Sequence, residues 1–143
     1  MDPTRKTAAR LSDVAIHVKL KISTLWAAVM FCYIYGDIFN LFKPGKREAL
    51  LAGRTPIGPT TQGMLLGFAI FMSIPSVMVF LTLALKPALS RWSNIALGSL
   101  YTVIMLITMP GGWLFYLYLG VIEVVLTGLI VWHAWTWPRR GAT

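Results

Sequence analysis

Polar and apolar positions divide the chain into four long apolar runs joined by polar links, near Ile22–Phe42, Gly63–Leu85, Trp92–Met109 and Trp113–Trp135. Each run is long enough for the roughly 20 residues that cross about 30 Å of hydrocarbon. Each also far exceeds the roughly 10 residues of a transmembrane barrel strand, so helices are expected. The first link, residues 43–62, is the only long one. Within it "PGKREALLAGR" reads as a short surface helix, and "TPIGPTTQG" as turns enforced by proline and glycine. Thr60 or Thr61 is placed to cap the second run. "KPALSR" and the Pro110-Gly111-Gly112 turn are short, which makes consecutive helices antiparallel neighbours. The expected fold is all-α, a transmembrane up-down-up-down four-helix bundle. Its parts are a basic segment 1–21, a four-span domain 22–137 with outer loop 43–62, and a tail 138–143.

Just before the first run the period changes. In "DVAIHVKLKI", Val14, Ile16, Val18, Leu20 and Ile22 alternate with Ala15, His17, Lys19 and Lys21, which is a strand period. An isolated strand is not stable. An early start to the first helix accounts for the pattern better, with Lys19 and Lys21 snorkelling toward water.

Composition agrees with a membrane chain. The 143 residues are 57% hydrophobic and only 13% charged, and mean hydropathy is +0.69, too apolar to cover a soluble globule. The net charge of +8 is unevenly spread. The two tails and the second link carry nine basic residues (Arg5, Lys6, Arg10, Lys19, Lys21, Lys86, Arg91, Arg139, Arg140) against four on the other side (Lys43, Lys46, Arg47, Arg54). The positive-inside rule then puts both termini in the cytoplasm, with anionic lipid headgroups as partners of the cytoplasmic side. Nucleic acid gains no support. The polar, basic start and the long first run do not read as a cleavable leader. Cys32 is the sole cysteine, so no intrachain disulfide forms, and a small buried apolar role is expected for it.

On a helical period the first run aligns Trp26, Met30, Tyr33, Asp37 and Asn40. The third aligns Asn94, Gly98, Tyr101, Met105 and Thr108, and the fourth Tyr116, Gly120, Glu123 and Thr127. These stripes predict a polar interior toward which Asp37 faces. Asp37 would lie about 7 Å below the outer boundary and Glu123 about 15 Å, at 1.5 Å per residue. No lysine or arginine within a run neutralises either. An ionised carboxylate at the midplane costs about 2.5–3.5 kcal/mol, so Glu123 is expected to keep its proton unless a cation or water reaches it. Asp37, Glu123, Tyr33, Asn40, Tyr101, Tyr116 and Thr127 are therefore the candidate ligand or ion pocket. The competing account makes the two carboxyls hydrogen-bond glue between helices.

Other signals are weaker. His17 and His133 lack the second-shell acids or cysteine spacing of a metal or haem site. "VWHAWTW" fits an interfacial aromatic belt. Gly63 and Gly67 match GxxxG and read as close packing. Pro75 is expected to kink its helix and free a carbonyl toward the interior. No zinc motif, phosphate loop or nucleophile elbow is present, so no cofactor, metal or catalytic residue is assigned and enzyme activity is not favoured.

The segments "LWAAVMFCYIYGDIFNLFKPG", "GPTTQGMLLG", "MSIPSVMVFLTL", "RWSNIALGSLYT", "LTMPGGWLFY" and "GVIEVVLTGLIVW" together resemble an uncharacterised, domain-of-unknown-function family of small bacterial membrane proteins with four spans. In size and span count the chain is also similar to DoxX-like proteins. The resemblance implies a multi-pass protein of the bacterial inner membrane and no established activity. Three roles stay open: a binding module for a small amphipathic or lipid-like ligand, an oligomeric channel or transport subunit using an intramembrane carboxylate, and a structural accessory subunit of a membrane complex. The corresponding partners are the lipid bilayer, a small hydrophobic ligand and a second copy of the chain.

Overall fold

Helix-forming runs dominate the computed structural model, which describes residues 14–55 and 58–138. The elements are α1 (Val18–Asn40), α2 (Lys46–Leu51), β1 (Arg54–Thr55), β2 (Gly58–Pro59), α3 (Gln62–Ala84), α4 (Pro87–Thr108) and α5 (Leu114–Trp135). The helical period takes over from the alternating one at Val18. His17 is the N-cap, in extended conformation, and its Nδ1 accepts the Lys19 N–H at 3.2 Å. The long link holds the expected short helix, α2, and then a two-residue antiparallel ladder pairing Arg54 with Pro59 and Thr55 with Gly58. Thr61, not Thr60, caps α3, its hydroxyl accepting the Met64 N–H at 3.2 Å. The basic segment 1–13, Pro56, Ile57 and the tail from Arg139 lie outside the described residues.

α4 differs from expectation at its start. It begins at Pro87 rather than Trp92, because proline at the first turn sacrifices no needed donor. "PALSR" is thus helix, and the link shrinks to Leu85 and Lys86. At the other end Gly111, at φ +78°, makes the left-handed turn into α5 that a side chain would strain.

α1 packs against α3 and α5, and α4 packs against α5 and more sparsely against α3. Cations tie the ends together. Lys19 Nζ donates to the carbonyls of Leu83 and Leu85, which have no helical partner at the end of α3. Arg91 likewise donates to Ala134 and Trp135 at the end of α5. Each pair satisfies orphan carbonyls and complements the helix dipole.

Near that end a buried polar hub joins three helices. The Asn94 Oδ1 accepts the Trp26 indole N–H at 2.7 Å and the Thr82 hydroxyl at 3.1 Å. Its Nδ2 donates to the Ser90 carbonyl at 2.7 Å, and the Ser90 hydroxyl donates to the Thr82 carbonyl at 3.0 Å. Trp26, Thr82, Ser90 and Asn94 are all fully buried. Ile22, Val29, Met78, Tyr101, Ile130 and Ala134 pack with Trp26 as the core.

The close glycine contacts are not those of the GxxxG motif. Gly63 and Gly67 are exposed with open space around them. Gly98 and Gly120 instead admit the neighbouring helix: an added Cβ would come within 2.9 Å of Val131 and 2.6 Å of Met105 respectively. Cys32 is free and only half-buried.

Three helices, α1, α3 and α5, are long and apolar enough to cross a membrane. The fourth expected run is the exception, because the first half of α4 carries Ser90, Arg91, Ser93 and Asn94. Large apolar side chains are exposed along every long helix, for example Phe31, Phe80, Ile107 and Val125. Such a surface points to a membrane protein.

Candidate functional site

The site grows from a defect in α3. Pro75 has no N–H, so the carbonyl of Phe71, four residues earlier, loses its helical donor. The Tyr101 hydroxyl of α4 replaces that donor at 2.6 Å. The Tyr101 ring lies 5.0 Å from Phe71, 6.0 Å edge-on from Trp26 and 6.2 Å from Tyr33, centroid to centroid. Tyr101→Phe keeps these ring contacts and orphans the carbonyl. It is expected to lower stability by about 1 kcal/mol, read as a lower unfolding midpoint in detergent.

Beside this aromatic cluster is a cavity of about 310 Å³ that all four long helices line. α1 contributes Tyr33, Gly36 and Asp37, and α3 contributes Phe68, Phe71 and Met72. α4 supplies Ile104, Met105 and Thr108, and α5 supplies Tyr116, Leu119 and Glu123. Asp37 itself is exposed, whereas Glu123 is 3% exposed. The Tyr116 hydroxyl donates to the Thr108 hydroxyl at 3.1 Å, fixing one wall. Glu123 lines this cavity, and its Oε2 is buried and, among the described residues, has no hydrogen-bond partner.

Of the seven residues anticipated for the pocket, Asp37, Glu123, Tyr33 and Tyr116 line this cavity. Tyr101, Thr127 and Asn40 do not. Tyr101 is buried with its hydroxyl committed to Phe71. The Thr127 hydroxyl donates to the backbone carbonyl of Glu123 at 2.8 Å and lies 2.7 Å from the Thr102 hydroxyl. Asn40, at the last residue of α1, is half-buried and beyond the cavity. The Tyr101 and Thr127 hydroxyls, which could have glued the Glu123 carboxyl, therefore serve backbone groups. The apolar lining from α3 carries no mark in the sequence that separates it from outward-facing residues. The lone exception is Pro75, whose freed carbonyl announces that something polar approaches α3.

No curated protein and no solved structure matches the chain. Residues 13–143 match a family of unknown function, DUF6326, and the chain belongs to that family.

Proposed function

We propose that the chain is a four-span protein of the bacterial inner membrane that holds a small amphipathic or lipid-like molecule against Glu123. In this reading α1, α3, α4 and α5 form an up-down-up-down bundle with both termini cytoplasmic. The joined ends of α1 with α3 and of α4 with α5 support the antiparallel order. α4 also spans, because Ser90 and Asn94 spend their polarity inside the hub while Leu89, Leu100, Val103 and Ile107 face outward. Arg91 sits at the cytoplasmic boundary over the ring of exposed Trp92 and bonded to the carbonyl of exposed Trp135, an interfacial setting for both residue types.

The unpartnered carboxyl oxygen of Glu123, a residue that lines a cavity of ligand size, carries the functional reading. A buried carboxyl oxygen without a donor costs roughly 1–3 kcal/mol, and a ligand carrying an O–H or N–H would remove that penalty. Apolar walls with few polar groups are the usual composition of a small-molecule site, and about 310 Å³ falls at the small end of the range. With Asp37 as the second carboxyl and no basic residue in the lining, the preferred head is a hydrogen-bond donor or a cation.

Native mass spectrometry of protein released from a mild detergent tests this. The wild type is expected to carry a reproducible extra mass, and Asp37→Asn with Glu123→Gln is expected to fold and lose it. An adduct that both variants keep would place the molecule elsewhere, and a bare wild type in higher oligomers would favour a channel subunit.

A further inference from the structure

At the end of the molecule opposite the Asn94 hub, the first loop builds a second concavity with different chemistry. Lys43, Lys46 and Arg54 line a cleft of about 590 Å³, with Trp113 completing its wall. Glu48 is the one acidic residue between Lys43 and Gln62, against four basic ones. The Lys43 ammonium is held at 5.8, 5.3 and 5.9 Å from the ring centroids of Trp113, Phe115 and Tyr116. Such positioning costs little conformational freedom once the rings are packed. The same Lys43 and Trp113 border a neighbouring apolar groove of about 280 Å³ lined by Phe39, Phe42 and Phe115. Phe42 and Trp113 are widely exposed in it.

A cationic cleft continuous with an aromatic groove, at the level where the helices end, fits a molecule with an anionic head and an apolar body. We propose that Lys43, Lys46 and Arg54 bind the phosphate of an anionic phospholipid, whose acyl chain lies along Phe39, Phe42 and Phe115. The contiguity of groove and cleft selects the lipid over a soluble phosphate, which would use the cleft alone. The site rests on the membrane placement but not on the Glu123 cavity. It assigns anionic lipid to the less basic side of the protein, where charge counting alone places none.

The test is titration of the full-length protein in detergent with phosphatidylglycerol, phosphatidylcholine of equal chain length, and glycerol phosphate, read by native mass spectrometry. Phosphatidylglycerol is expected to be preferred. Lys46→Gln with Arg54→Gln should weaken it about thirtyfold, from about a fivefold loss for each cation removed. Lys46→Arg with Arg54→Lys should retain it, which controls for folding. Equal retention of the two lipids overturns the proposal. So does phosphatidylglycerol binding that survives the neutralised pair, which would assign it to the basic end near Lys19 and Arg91. Glycerol phosphate binding as tightly as the lipid would make the groove irrelevant and overturn it too. Loss with Glu123→Gln alone would put the lipid in the inner cavity and leave that reading standing without this one.

Discussion

Glu123→Leu is expected to raise the stability of the ligand-free protein by about 1–3 kcal/mol while abolishing retention of the ligand. The Oε2 of Glu123, a residue 3% exposed, has no hydrogen-bond partner among the described residues. In hydrocarbon surroundings no water is at hand to restore its hydrogen bond. Leucine has a similar reach and brings no polar atom, so the penalty disappears and the packing of Met105, Leu119 and Tyr33 around the site changes little. Such a gain on deleting a polar group marks a side chain kept for binding at a cost to stability. Chemical or thermal unfolding in detergent, with delipidated wild type as the reference, reads the effect. A clear loss of stability would mean that Glu123 is structural glue after all.

The opposite sign is expected for the buried carboxamide of Asn94. Asn94→Leu should destabilise by about 2–4 kcal/mol, because it strands two buried donors at once. The Trp26 indole N–H and the Thr82 hydroxyl both end on Asn94 Oδ1. Neither has open solvent to turn to, since both residues are fully buried. Trp26→Phe removes one of the stranded donors, so the double variant Trp26→Phe with Asn94→Leu should cost less than the sum of the singles. Additivity in that cycle would show that the hub does not act as a unit.

These two residues show what the sequence made legible and where it fell silent. Three of the four apolar runs appear as helices passing the length and composition needed to span, and their ends were readable to within a few residues, because length and hydropathy are local properties. The start of α4 was not, since "KPALSR" is as polar as a loop, and its helical start draws on Pro87 in the first turn and on the partners that Ser90 and Asn94 find on α3 and α1. The helical period aligned Tyr33 with Asp37 and Tyr116 with Glu123, and all four line one cavity. It could not tell which stripe members bond backbone carbonyls instead, as Tyr101 and Thr127 do, because those carbonyls belong to other turns and helices. Gly98 and Gly120 were visible on their stripes, yet the GxxxG pair on α3 looked the stronger packing signal. Tertiary contact, absent from a one-dimensional pattern, reverses that order.

The chain offers an unusually direct probe of the central claim, for it has only two glutamates, Glu48 and Glu123. Carbon-13 labelling of the glutamate side-chain carboxyl therefore yields two resonances. Glu48, exposed on α2, serves as the internal reference. Spectra would be recorded for protein as purified in a mild detergent, after exhaustive stripping of bound small molecules, and after the stripped material is added back. If Glu123 holds a ligand, its resonance moves on stripping and returns on reconstitution, while that of Glu48 stays fixed. A Glu123 resonance identical in all three preparations would contradict the account.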